Sequence, residues 1–157
     1  MASEIDSLSP EFVTDTVENL KKLTTHGIPN DTEDLQKRID AYFSFCATAS
    51  MRPGIESLSL SLGCTRATFW NWCSGKSRKG DPEWQQTCLR ARQIIIAFLE
   101  TASLNGKINP ATSIFMLKNW AGYADSCVLD AEKDDHPKEV LSLADLPRLG
   151  YGVKEDD

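Results

Sequence analysis

The apolar positions of this chain recur mostly every three or four residues, the period of one face of an α-helix. Val13, Val17 and Leu20 make the first such stripe. Ser9, Pro10 and Glu11 precede it: a capping hydroxyl, a proline at the first helical position, and an acid at the positive helix end. "THGIPN" (Thr25–Asn30) breaks this helix with Gly27 and Pro29. Leu35, Ile39, Phe43 and Cys46, with Tyr42 beside them, predict a second helix from about Asp31 to Ala49. Asp34, Lys37, Arg38 and Asp40 fall around that face. "MRPG" ends it, since Pro53 and Gly54 both resist helix.

Asp81, Pro82 and Glu83 then start a long helix that reaches Leu104, a span of roughly 35 Å at the usual rise per residue. Its main stripe is Trp84, Cys88, Ala91, Ile95, Phe98 and Ala102. Ile94, Ile96 and Leu99 widen that stripe beyond the needs of one partner helix. Asn109 caps a last helix, with Pro110 at its start, Ile114, Phe115 and Leu117 as apolar positions, and Gly122 at its end.

One segment departs from the helical period. "SLSLSL" (Ser57–Leu62) alternates every second residue, as a strand would. The residues that follow reverse this reading. Gly63 fits the tight turn of a helix-turn-helix, where a left-handed backbone excludes most other residues. Leu58 and Leu62 then face inward from the first helix, and Ser59 fills the small-residue slot where the helices cross. Thr65 caps the second helix, and Phe69, Trp72 and Cys73 face inward at i, i+3 and i+4. The fold class is all-α, with about five helices. Residues 1–8 read as disordered, and an acidic flexible tail follows residue 125. Within that tail, Leu141–Gly150 suits a short recognition helix.

The charge distribution adds function to this outline. Residues 1–51 hold nine acids and four bases, 52–124 four acids and nine bases, and 125–157 ten acids and four bases. A basic middle, net +5, therefore sits between two acidic ends, net −5 and −6. The overall charge of −6 hides a local field suited to a polyanion. The outward stripe of the second motif helix is Ala67, Asn71 and Ser74, with Thr68 beside it and Thr65 and Arg66 at its N-terminus. In a helix-turn-helix that end enters the major groove. Asn pairs with adenine, and Arg with guanine or phosphate. Lys76, Arg78 and Lys79 follow as candidate phosphate contacts. Trp70, at the flank of the inward face, is expected against a neighbouring helix rather than on a base.

Other chemistries find little support. Five cysteines, none in a CxxC pair, and two distant histidines make no zinc spacing, so no metal and no cofactor is expected. Their usual role is as small buried hydrophobes. No nucleophile, acid–base pair or phosphate loop stands out, so the chain is expected not to be an enzyme. The absence of a long apolar run or basic leader points to the cytoplasm and to no membrane partner. Two readings remain open from the residues: a DNA-binding helix-turn-helix protein, such as a dimeric transcription regulator on an operator, and an interaction module whose hairpin is only structural.

The order of blocks is itself informative. "LQKRIDAYFSFC", "LSLSLGCTRATFWNWCSG", "DPEW" and "NPATSIFMLKNWAGYAD" occur in sequence from Leu35 to Asp125. In that order they resemble the small terminase subunits, the DNA-packaging proteins of tailed bacteriophages and prophages. The resemblance implies a protein that binds double-stranded viral DNA at the packaging-initiation site and assembles into a homo-oligomeric ring. It also implies recruitment and regulation of the large terminase subunit, which holds the ATPase and nuclease, in the bacterial host cytoplasm. The expected division is an extension at 1–30, DNA binding at 31–80, oligomerisation at 81–124 and large-subunit docking at 125–157. Ile94, Ile95, Phe98, Leu99, Ile114 and Phe115 are the expected subunit contacts.

Overall fold

A computed structural model describes residues 8–77 and 80–124. Arg78, Lys79 and the whole tail 125–157, with Cys127 and the segment Leu141–Gly150, lie outside the described residues, as do residues 1–7. The chain divides into a unit ending at Tyr123 and a second from Ala124 onward. The first unit is described below.

Six helices occur among the described residues: α1 (Pro10–Leu23), α2 (Thr32–Thr48), α3 (Ile55–Ser61), α4 (Arg66–Cys73), α5 (Pro82–Leu104) and α6 (Pro110–Ala121). That is one more than the five or so expected, and "SLSLSL" is helical, lying in α3 and its C-cap. Local chemistry sets the boundaries. The side chains of Ser9, Asp31, Thr65, Asp81 and Asn109 each accept a backbone N–H of the first turn they precede. Each thereby satisfies a donor that the helix itself leaves unpaired. Gly122 ends α6 in the left-handed conformation, with φ of 73°.

Leu23, Leu35, Ile39, Tyr42, Ile55, Leu58, Leu62, Phe69, Trp72, Trp84 and Ile95 belong to one buried cluster drawn from α1 to α5. Two stripes turn out differently from the sequence expectation. On α2 the buried aromatic is Tyr42, and Phe43 is only half-buried. The Tyr42 hydroxyl accepts the Gly54 N–H at 2.8 Å and lies 2.7 Å from the Ser57 hydroxyl, so α2 grips the start of α3. Burial pushes the phenol's pKa up to about 12. On α5 the buried line is Trp84, Cys88, Ala91, Ile95 and Leu99, whereas Phe98 turns to the surface.

α6 folds back along α5. The Ser103 hydroxyl donates to Ser113 at 2.7 Å across the hairpin, and the Arg92 guanidinium donates twice to the Trp120 carbonyl, at 3.1 and 2.6 Å. The turn before α3 is tied to the hairpin's turn by Arg52, which donates to the Lys107 carbonyl at 2.7 Å. α3 and α4 are thus mounted on a braced frame.

Candidate nucleic-acid interface

α3 and α4 meet at Gly63, whose φ is +68°. A Cβ there would overlap the Gly27 carbonyl oxygen and lie 2.8 Å from its carbon. Glycine is needed for the backbone angle and for this close approach. Ser59 is buried at the crossing, and its hydroxyl donates to the Ile55 carbonyl at 2.8 Å. Thr65 caps α4 by accepting the Thr68 N–H at 3.2 Å. Phe69, Trp72 and Cys73 turn inward, and Trp72 meets Trp84 of α5 edge-on with ring centroids 5.0 Å apart.

The opposite side of α4 faces out. Thr65, Arg66, Ala67, Asn71, Ser74 and Lys76 are all exposed, and Thr68 is half-buried beside them. The Thr68 hydroxyl lies 3.0 Å from that of Thr65, so local hydrogen bonding holds it close to the cap. Among the described residues an exposed stripe of one arginine, one asparagine and one lysine therefore runs from the start of α4 past its end. The two further basic positions, Arg78 and Lys79, lie outside the described residues.

Two shallow grooves flank this stripe, divided by Trp70. One, of about 500 Å³, is bordered by Glu56, Leu60, Arg66 and Ala67. The other, of about 330 Å³, is bordered by Asn71, Ser74, Lys76, Arg92 and Asn119. The Arg92 guanidinium sits 4.8 Å from the Trp70 ring centroid. Trp70 therefore packs against α5 through a cation–π contact, as its flanking position suggested.

The electrostatics carry one feature that sequence reasoning missed. Glu56, on the first turn of α3, reaches Arg66 Nε at 3.4 Å. Both side chains are more than half exposed, so the pair contributes little to stability. Its effect is to place a carboxylate beside the leading cation of the stripe. Glu56 and Arg66 are ten positions apart, a spacing with no helical meaning, and only the angle at Gly63 brings them together. Arg92 and Asn119 were missed for the same reason, since each joins the stripe's border from another helix.

The cysteines flanking α4 behave as packing groups. Burial pushes the thiol pKa values of Cys64 and Cys73 up to about 11. Both remain neutral thiols near neutral pH. No group of three or more histidine, cysteine or acidic side chains able to hold a metal comes together among the described residues.

A family model described as DNA-packaging protein gp3 matches residues 28–128. The chain belongs to this phage DNA-packaging family. The match agrees with the resemblance to small terminase subunits and covers α2 through α6. No curated protein and no solved structure matches.

In this packaging protein the apolar positions of α5 and α6 divide into two groups. Ile95 and Leu99 are buried within the chain's own core, so they are corrected here from expected subunit contacts to core residues. Having only one wide stripe to read, the sequence pattern could not separate the side of α5 facing α2 and α6 from the side left open. Ile94 and Phe98, 51% and 39% exposed, and Ile114 and Phe115, 54% and 63% exposed, present their surface outward. No helix among the described residues is long and apolar enough to cross a membrane.

Proposed function

We propose that this packaging protein is a small terminase subunit that binds double-stranded viral DNA at the packaging-initiation site. In this reading α3 and α4 act as a helix-turn-helix. Arg66, at the N-terminal end of α4, and Asn71, one turn further on, face base edges. Thr65, Ser74, Lys76, Arg78 and Lys79 contact phosphates, and Ala67 and Thr68 supply close surface contact. The observation that carries the reading is the sidedness of α4 within a chain of packaging ancestry: Phe69, Trp72 and Cys73 are buried, and Arg66, Ala67 and Asn71 share one exposed face.

The chain performs no chemistry in this proposal. It assembles as a homo-oligomer through apolar surface left open on the helical frame, and its acidic tail docks the large terminase subunit, which supplies ATPase and nuclease activity. The setting is the host cytoplasm.

Competition binding tests the DNA assignment. Labelled initiation-site DNA is displaced by unlabelled initiation-site or unrelated DNA, for the wild type, Asn71→Ala and Lys76→Ala. Asn71→Ala is expected to narrow the preference for the initiation site by about tenfold, within the roughly 1–3 kcal/mol of a bidentate base contact. Lys76→Ala is expected to weaken both DNAs alike. Unchanged preference and affinity in both variants would place the DNA contact elsewhere.

A further inference from the structure

One apolar stripe in this structure has two fates along its length. On α1, Phe12, Val13, Val17, Leu20 and Leu23 lie along a single side. At the C-terminal end Leu23 is buried in the core and Leu20 packs against it. At the N-terminal end Phe12 is 54% exposed, and Val13 and Val17 are also exposed. An amphipathic helix of 14 residues gains most of its stability from covering its apolar side. Half of that side is left exposed by the described residues.

A second uncovered surface lies elsewhere on the same unit. Between the C-terminal half of α2, the turn that follows and the middle of α5 runs a groove of about 400 Å³. Phe43, Met51, Pro53, Ile94 and Phe98 line it, and Arg52 is its one charged border residue. The groove's chemistry matches the helix's. An apolar trough receives an amphipathic helix by side chains at i, i+3, i+4 and i+7, the spacing of Val13 and Val17 being i and i+4, and the trough's border is basic where the helix is acidic. Glu11, Asp15 and Glu18 belong to the first three turns of α1, and Asp15 is one turn beyond Phe12, on the edge of the stripe.

We infer that the exposed half of the α1 stripe seats in the α2–α5 groove of a second copy of this chain. The inference rests on the homo-oligomer in the function proposed above and names the surfaces that make it. The occupant is a second copy because α1 is anchored to its own core at Leu20 and Leu23, the described residues leave both surfaces exposed on that same copy, and their charges are opposite. One contact between copies covers a helix on one and a groove on the other. Such a contact joins two different patches, so it propagates head to tail and closes where the rotation permits a ring.

Two double variants test this, each confined to exposed positions: Phe12→Glu with Val17→Glu, and Ile94→Glu with Phe98→Glu. Light scattering gives the mass of the full chain, and circular dichroism confirms unchanged helix content. The wild type is expected to exceed a dimer. Each variant alone is expected to fall to the mass of one 17.5 kDa chain. An equimolar mixture is expected to form one-to-one dimers, since each variant keeps the surface the other lost. A monomeric wild type overturns the inference, as does an α1 variant that retains the wild-type mass. Loss of assembly in the groove variant alone overturns it too, and would assign the groove to another segment, such as Leu141–Gly150, or to a foreign helix. A mixture that stays monomeric overturns the head-to-tail pairing. DNA retention measured on the same samples separates failure here from failure of the DNA assignment. A wild-type oligomer of unchanged mass in both variants leaves assembly standing through other surfaces.

Discussion

Gly63 lies directly against Gly27, so the turn between α3 and α4 is braced by the loop that joins α1 to α2. Arg38 fixes that loop, donating to the Gly27 carbonyl at 2.8 Å while pairing with Asp34 at 3.1 Å. The angle at which α4 presents its outward face therefore depends on residues well outside the motif.

Replacing Gly63 by Ala should be costly on two counts. A left-handed non-glycine residue costs on the order of 1–3 kcal/mol, and the new Cβ meets backbone atoms that cannot swing aside. Urea denaturation of Gly63→Ala should show a loss of at least that size. Gly106→Ala is a control, because a Cβ there meets nothing within 4 Å and only the backbone term remains.

Asp34 makes the brace sensitive to acid. The Asn30 backbone N–H and the Arg38 guanidinium hold its carboxyl below the usual carboxylate value. Because the folded value is the lower one, the unfolded chain takes up this proton first as pH falls. The stabilisation is complete above the ordinary value of 3.8 and is lost as pH drops through the folded value. The difference in Tm between wild type and Asp34→Asn should be largest near neutral pH and shrink below about pH 4. A difference that does not change with pH would remove Asp34 from this role.

Arg92 joins α4, α5 and α6 by lying on Trp70 and donating twice to Trp120. Arg92→Ala should destabilise by about 2 kcal/mol, from charged hydrogen bonds plus the ring contact. Arg92→Lys should recover less than half of this, because a lysine cannot reproduce the planar fork. Thermal melts of both variants check it, and full rescue by Lys would contradict the geometry.

Much of the scaffold was legible in the sequence because it depends on local chemistry. The caps at Ser9, Thr65, Asp81 and Asn109 act within one turn of themselves, and Gly63 announces its turn by type. The inward set Phe69, Trp72 and Cys73 follows from helical period alone. Choices between adjacent apolar residues were not legible. Tyr42 is buried in place of Phe43 because its hydroxyl finds Gly54 and Ser57, and Leu99 in place of Phe98 because of how α5 lies on its neighbours. The Glu56–Arg66 pair was hidden as well, since it depends on the crossing angle of two short helices.

That pair has its own consequence. In the proposed DNA complex Glu56 would hold a carboxylate beside Arg66 at the DNA surface and so oppose indiscriminate binding. Glu56→Gln should raise affinity for unrelated DNA roughly threefold, in keeping with the sub-kcal/mol scale of an exposed ion pair. Affinity for the initiation site should change less. Competition binding at fixed salt reads both, and an unchanged affinity for unrelated DNA would show that Glu56 has no such role.

The central claim is that the outward face of α4 touches DNA, and the salt dependence of binding tests it most directly. Each phosphate contact contributes about 0.9 to the slope of log K against log salt concentration. Arg66→Ala with Lys76→Ala should reduce that slope by about 1, from the Lys76 phosphate contact, and weaken binding at low salt. An unchanged slope and affinity in a fully folded variant would contradict the account.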